Sequence, residues 1–365
     1  MSSNSFGEIF RITTWGESHG KAIGVVIDGC PAGLSINETI INQELEQRAP
    51  GRNPHTSQRK EPDRGEILSG VFEGVTTGTP LSILIWNRDA DSTKYDPVKN
   101  VLRPGHANYG YLKKYGVFDY RGGGRASARE TACRVAAGAV AKQLLKHYDI
   151  DIVAYVKQVA HLIADVIPEE IASLKQATKE SAVFCPDPMA EPAIVAAITE
   201  AKEAGDSLGG IVEFQIHGVP AGLGDPIYQK LDSQLASAMM SLPAAKGVEL
   251  GSGFDAVTMA GSEHNDLFIA KGQRMMTETN WAGGVLGGIS NGMPIVGTVA
   301  FKPTSSIMNP QRSIDTEGHV IEFHLPQGSR HDPCVALRAP AIVEAMAALV
   351  IADALLMNRS AKHGD

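Results

Sequence analysis

Apolar positions in this chain gather into short runs bounded by glycine or proline. Residues 22–28, 80–87, 210–217 and 294–302 are runs of this kind, and each predicts a β-strand. Other stretches carry the end signals of helices. Residues 35–47 begin with Ser35 and Glu38 at capping-box spacing and stop at Ala49-Pro50-Gly51. Residues 167–176 and 191–204 also predict helices, the second with Pro192 in its first turn and Gly205 just past its end. Two Ala-rich helices follow short lead-ins. Ser127-Ala128-Arg129 opens one that ends near Leu145, and Ala336-Leu337-Arg338 opens one that ends near Leu356. Strands and helices do not alternate regularly, which disfavours a doubly wound parallel sheet and gives an α+β class.

The pattern repeats once. Val26-Ile27-Asp28-Gly29-Cys30-Pro31-Ala32-Gly33-Leu34 reads like Gln215-Ile216-His217-Gly218-Val219-Pro220-Ala221-Gly222-Leu223. Gly74-x-x-x-Gly78-x-Pro80-Leu81 matches Gly288-x-x-x-Gly292-x-Pro294-Ile295, and the two Ala-rich helices make a third pair in the same order. The expectation is two related halves, near 1–150 and 205–365, joined by a pseudo-twofold into one compact domain spanning 1–365. Solenoid periods are far shorter than this spacing.

Composition narrows the function. The chain has 365 residues, enough for a large core, with 38 glycines and a net charge of -8. An acidic protein of this kind is not a general nucleic-acid or anionic-membrane binder. The longest apolar run, residues 345–357, is broken by Asp353 and too short to span a bilayer. No leader is evident, and Cys30, Cys133, Cys185 and Cys334 lack paired spacing, so neither disulfides nor a metal site is expected. These features suit a cytoplasmic protein.

The cations are not spread evenly. One set runs Arg48, Arg52, Arg59, Lys60, Arg64, and a second Arg103, Arg121, Arg125, Arg129, Arg134. The second contains Arg121-Gly122-Gly123-Gly124-Arg125-Ala126-Ser127-Ala128-Arg129-Glu130, a glycine loop that should run into a capped helix N-terminus. Such a terminus offers backbone N–H groups and a positive dipole end to a phosphate or carboxylate. No Gly-Lys-Ser/Thr follows, so it is not a Walker loop. Lys302-Pro303-Thr304-Ser305-Ser306 offers one cation and three hydroxyls on a turn, which also suits phosphate oxygens. Gly283-Gly284-Val285-Leu286-Gly287-Gly288 lacks the flanking pattern of a dinucleotide fingerprint. His19 and His106 sit in polar, Gly-flanked contexts and could donate protons near neutral pH. An enzyme acting on a small polyanion and a non-catalytic anion-binding module both fit these residues alone.

Longer signatures favour the first. Trp15-Gly16-Glu17-Ser18-His19-Gly20, then Gly123-Gly124-Arg125-Ala126-Ser127-Ala128-Arg129-Glu130-Thr131 with Val135-Ala136-Ala137-Gly138-Ala139, then Arg330-His331-Asp332-Pro333-Cys334, resemble the three signatures of the chorismate synthase family. Arg48-Ala49-Pro50-Gly51, Gln58-Arg59-Lys60-Glu61-Pro62-Asp63, Arg103-Pro104-Gly105-His106-Ala107, Lys246-Gly247-Val248-Glu249 and Lys302-Pro303-Thr304-Ser305-Ser306 fall in the family order. The resemblance implies an anti 1,4-elimination of phosphate from 5-enolpyruvylshikimate 3-phosphate to give chorismate. It implies reduced FMN as cofactor, with NADPH serving only indirectly to reduce the flavin, and a β-α-β sandwich with helices between antiparallel sheets. A homotetramer is implied, and an external flavin reductase is the expected source of reduced cofactor. By the same resemblance His19 is the general acid at the departing phosphate, His106 protonates the reduced flavin, and Asp332 assists proton removal. Arg125, Ala126, Ser127, Pro243, Ala244, Gly287, Lys302, Pro303, Thr304, Ser305, Ser306 and Arg330 match flavin-binding positions. Arg48, Arg129 and Arg338 match substrate contacts, with Arg52 as the nearest candidate for a further loop arginine whose usual slot holds Pro54. Residues 48–64 are the expected mobile cover of the site.

Overall fold

A computed structural model describes residues 3–49, 63–89, 93–166, 170–272, 274–326 and 332–362. The chain opens with β1 (Ser5–Phe6), β2 (Arg11–Gly16), β3 (Ala22–Asp28), α1 (Glu38–Arg48), β4 (Gly65–Ser69), the small hairpin β5 (Val71–Phe72) and β6 (Val75–Thr76), and β7 (Leu81–Trp86). Five of these strands make an antiparallel sheet in the order β1-β2-β3-β7-β4. After β8 (Val101–Leu102), α2 (Asn108–Tyr115) and α3 (Thr131–Lys146), a second sheet begins. It draws on β9 (Asp151–Val159), β10 (Leu162–Ile163), β11 (Gly210–His217), β12 (Ala245–Leu250) and β17 (Ile295–Phe301). Their order is β10-β9-β11-β17-β12, again antiparallel.

The rest is arranged around these sheets. Helices α4 (Ile171–Glu180) and α5 (Glu191–Glu203) precede β11, and α6 (Leu231–Met240) precedes β12. A single turn, α7 (Gly261–His264), leads to the hairpins β13 (Phe268–Lys271) with β14 (Arg274–Thr277) and β15 (Val285–Leu286) with β16 (Ile289–Ser290). Strands β18 (Gln311–Asp315) and β19 (Val320–Phe323) pair with each other and with β8, and α8 (Ala339–Asn358) ends the fold.

Strand alternation decides which side of each sheet faces in. Along β7, Leu81, Ile83 and Ile85 are fully buried, and along β11, Val212, Phe214 and Ile216 are. Against these faces lie the two Ala-rich helices: α3 packs on β3 and β7, α8 on β9 and β11, and the helices on each other. They cross closely because Gly138 has no side chain; a Cβ there would lie 2.4 Å from the Cβ of Ala345. Helix α8 is long and apolar enough to cross a membrane, yet its most apolar window is 83% buried in the protein. Asp353, the charge that interrupts its apolar run, accepts backbone N–H bonds from Glu8, Ile9 and Phe10 at 2.8 Å each. Those bonds hold the N-terminal strand to the core and satisfy the buried carboxylate.

Three expectations need correction. The capping box at Ser35 and Glu38 does not form: Asn37 is the N-cap, accepting from Ile40 N at 3.0 Å, and Glu38 is already in the helix. The helix expected over 167–176 is α4, which starts at Ile171 and runs to Glu180, with 167–169 outside the described residues. The glycine loop does not enter α3 directly. Two 3-10 turns, Gly124–Ala126 and Ala128–Glu130, intervene. Ser127 caps the second turn by accepting from Arg129 N, while Glu130 pairs with Arg134 instead of closing a capping box.

Candidate active site

A cleft of about 570 Å³ is lined by segments from both parts of the chain. Its first wall is the glycine loop. Gly122, Gly123 and Gly124 have φ of +60°, +86° and +54°, a left-handed run that only glycine adopts without strain. The loop is used for close approach. A Cβ on Gly122 would sit 2.5 Å from His19 Nε2, and one on Gly123 would sit 3.2 Å from His106 Nε2. Both histidines therefore rest against the same three residues. The amides of Gly124, Ala126 and Ser127 donate within the loop's own turns, so the loop serves the cleft mainly by bringing these rings together.

His19 follows β2 on a turn tied to the loop by Ser18 N–H donating to Gly124 O at 3.3 Å. Tyr95 meets its ring edge-on at a centroid distance of 5.1 Å. His106 closes a turn whose amide donates to Arg103 O at 3.2 Å, and its ring faces Phe118 at 6.3 Å. Burial, then the charges of Arg103 and Lys302, push the His106 imidazolium down to about 3. Its Nδ1 is buried with no hydrogen-bond partner among the described residues.

Among the described residues the cationic lining comes from six side chains, Arg48, Arg103, Arg129, Lys246, Lys302 and Arg338, against one lining carboxylate, Asp332. Arg48 ends α1 and is 1% exposed. It donates to Asp63 Oδ2 at 2.6 Å, Thr131 Oγ1 at 3.1 Å and Ala128 O at 2.9 Å. Arg129 donates to Asn87 Oδ1 at 2.9 Å and pairs with the other oxygen of Asp63. Arg338 pairs with Asp332 at 3.0 Å. Arg103 donates to Ser306 Oγ at 2.6 Å, and Lys302 to Gly105 O at 2.8 Å, so the His106 turn is bolted to the segment that follows β17. Beside it, Ala244 takes φ +68°, an uncommon conformation for a residue with a side chain, and its carbonyl accepts from Lys302 N at 3.0 Å.

Most residues singled out from the sequence meet here: His19, His106, Asp332, Arg48, Arg129, Arg338, Ala126, Ser127, Pro243, Ala244, Lys302, Thr304, Ser305 and Ser306 all line the cleft. Three do not. The Arg125 guanidinium turns to the edge of β2, donating to Thr14 O at 2.7 Å and Gly16 O at 3.4 Å. Gly287 forms the tip between β15 and β16, and Pro303 packs beside Gly209. Arg52 and Arg330 lie outside the described residues, as do 50–62 of the expected cover. Sequence reasoning passed over Asp63, Asn87, Tyr95 and the part played by Gly122. A carboxylate buried between arginines distant in sequence carries no local signal.

A family model described as Chorismate synthase matches residues 10–356. A chorismate synthase of Protochlamydia amoebophila is 54% identical over 364 residues, covering 98% of this chain and 99% of that protein. One of Archaeoglobus fulgidus is 53% identical over 355 residues, covering 97% and 98%. Among solved structures, one described as Crystal Structure of Chorismate Synthase superposes with a TM-score of 0.79 at 35% identity, covering 97% of this chain and 94% of that one.

Proposed function

The chain belongs to the chorismate synthase family, and on that premise we propose that the cationic cleft is where 5-enolpyruvylshikimate 3-phosphate and FMN meet. The family's activity, loss of phosphate from that substrate to give chorismate, is the activity of this chain. The observation that carries the site assignment is six cations around two histidines in one cleft. The substrate brings a phosphate and carboxylates, and FMN a further phosphate, and so much negative charge needs cations that hold oxyanions in fixed geometry.

The residues present fit the cofactor. Lys302, Thr304, Ser305 and Ser306 offer an ammonium and hydroxyls on one turn, while Ala126, Ser127, Pro243 and Ala244 supply small side chains against which a flat ring system can lie. Gly105 leaves room there, since a Cβ on it would press to 3.1 Å from the Ser305 Cβ. Reduced FMN, when bound, lends an electron to the elimination and recovers it. The chain's own groups manage charge and protons. Arg48, Arg129 and Arg338 hold the substrate's anions. His19 protonates the departing phosphate. His106 rests neutral when the cleft is empty, because burial and two cations disfavour its charged form. Bound anions offset those cations and raise its proton affinity, so it takes up a proton as the site fills and would hold that proton where a bound flavin would lie. Asp332, kept beside Arg338, assists removal of the ring proton. Anaerobic turnover with photoreduced FMN tests this. Equimolar chorismate and phosphate with catalytic flavin is the expected result; reductant consumed in step with product would sink it.

Three finer readings belong with this proposal. Reduced flavin comes from an outside reductase: the Gly283–Gly288 stretch leads into the β15–β16 hairpin, with no helix to receive a dinucleotide phosphate. The protein works in the cytoplasm as a homotetramer. Its four cysteines are buried free thiols, the state a reducing compartment maintains. Among the described residues the β13–β14 hairpin pairs with no third strand, and it exposes Phe268 and Met275 at 73% and 74%, apolar side chains suited to burial against another copy. The single domain is a duplication. Strands in the first sheet run β2-β3-β7-β4 and in the second β9-β11-β17-β12, with α1, α3 and α6, α8 inserted at the same points of the chain order.

A further inference from the structure

Asp63 does not line the cleft, yet its side chain is fully buried directly behind it. Each of its two oxygens serves a different guanidinium. Oδ2 accepts from Arg48 Nη1 at 2.6 Å, and Oδ1 from Arg129 Nη1. The two arginines reach it from different elements, the last turn of α1 and the 3-10 turn before α3. Their other hydrogen bonds run to Thr131 and Ala128 from Arg48, and to Asn87 and the Trp86 carbonyl from Arg129, so each guanidinium plane is held on more than one edge. Asp63 itself takes φ +39°, a left-handed conformation that costs little for Asp and that brings the carboxylate inward just before β4 begins.

Two buried guanidiniums this close repel each other, and Arg338 adds a third positive charge. Burial would raise the Asp63 carboxyl, but Arg48 and Arg129 override it and hold it below the usual range, so it stays ionised. Among the described residues no other carboxylate pairs with Arg48 or Arg129, so without Asp63 the guanidiniums would separate or turn toward whatever anion arrived. A substrate held by wandering arginines binds, but in many poses.

We propose that Asp63 is a positioning residue: by bridging Arg48 and Arg129 it fixes where the cleft presents their charge, and so orients the substrate for elimination. This rests on the reading of the cleft as the chorismate synthase site. It separates two effects that a purely structural ion pair would not. Removing the bridge should damage orientation while leaving anion binding intact, because the cleft then carries one negative charge fewer.

The test compares Asp63→Asn, Asp63→Glu and His19→Ala as folded, full-length protein, each matched to the parent by circular dichroism. Asp63→Glu keeps the charge but pushes both guanidiniums out by a methylene, and it carries the test alone if the Asn variant does not fold. Both Asp63 variants should lose about tenfold to hundredfold in kcat, the cost of a misplacement on the order of 1 Å. Calorimetric titration of Asp63→Asn with inorganic phosphate should give a Kd equal to or tighter than the parent's. Parental kcat in Asp63→Glu would overturn the proposal, because charge balance alone would then suffice. So would weakened phosphate binding by Asp63→Asn, or full kcat in that variant. If instead His19→Ala kept full turnover, the reading of the cleft itself would fall; loss in His19→Ala with normal Asp63 variants sinks only the positioning role.

Discussion

The segment from β2 to α3 and the segment from β9 to α8 are built to one plan but carry different chemistry. With β5, β6, β8 and α2 set aside in the first, and β10, α4, α5, α7, β13–β16, β18 and β19 in the second, each runs strand, strand, helix, strand, strand, helix, and each sheet sets its four common strands side by side in the same order. Each long helix is preceded by a 3-10 turn with an arginine facing the cleft, Arg129 in one and Arg338 in the other. Agreement stops at the helix before the third strand. In the first segment α1 ends on buried Arg48, tied to Asp63. In the second, α6 is followed by Leu242, Pro243 and left-handed Ala244, a turn with no charge. Both histidines of the cleft come from the first segment, and the hydroxyl turn Thr304-Ser305-Ser306 from the second. The comparison teaches that the fold supplies positions in pairs, and that side chains at paired positions are free to diverge once the core behind them is secure.

The widest gap expected between the segments is in proton transfer. His19→Ala and His106→Ala, both in the first, should fold normally and lose a factor of about a hundred to ten thousand in kcat. Chorismate formation under anaerobic conditions measures it. Parental rates in both would dissolve the division of labour. Next come the paired arginines. Arg129→Lys and Arg338→Lys keep the charge and lose the planar fork, so each should cost about tenfold to hundredfold in kcat/KM. If only one variant loses activity, the two arginines are paired in position but not in role.

A smaller effect probes the shared scaffold itself. In the first segment, Leu34 N–H donates to Thr76 Oγ1 at 2.9 Å and that hydroxyl donates to Pro31 O at 2.6 Å. In the second, Leu223 N–H donates to Ser290 Oγ at 2.9 Å, and Ser290 Oγ donates to Pro220 O at 2.6 Å. Thr76→Val and Ser290→Ala each strand a buried amide, and each should cost about 1–3 kcal/mol by chemical denaturation. Similar losses support a common origin of the two turns. A loss confined to one would mean the matching distances hide different energetics.

How much of this could be read in the residues depends on how local the cause is. The strands at Ala22–Asp28 and Gly210–His217 match their apolar runs residue for residue, because glycine closes them. The helix α5 starts at Glu191 with Pro192 in its first turn, as its composition dictates. Two competing caps, Ser35 and Asn37, lie two residues apart at the start of α1, and Asn37 wins because its carboxamide reaches Ile40 N. Site residues within signatures were legible as motifs, although Arg125 turns away to β2 for reasons of tertiary contact. Asp63 was visible only as part of a stretch, since its partners lie 15 and 66 positions away.

The smallest effect expected is on acid stability, and it too separates the segments. In the unliganded protein the His106 imidazole is held near 3, against an unfolded value of about 6.5. A histidine lowered by folding binds its proton more readily when unfolded, so stability is retained above the unfolded value and declines as pH falls through the window from about 6.5 toward 3. By linkage the decline amounts to about 1 kcal/mol at pH 6 and about 2 kcal/mol at pH 5. His217, at the end of β11, is also lowered, first by burial, but Asp151 beside it works in the opposite direction. Denaturation curves at pH 7, 6 and 5 for His106→Asn and His217→Asn would compare them. Flattening of the acid limb should be larger for His106→Asn. Bound phosphate should flatten it as well, because an anion in the cleft offsets Arg103 and Lys302 and brings the folded value back toward the unfolded one. Equal flattening in the two variants, or no response to phosphate, would mean that the cleft's cations do not set the histidine's charge.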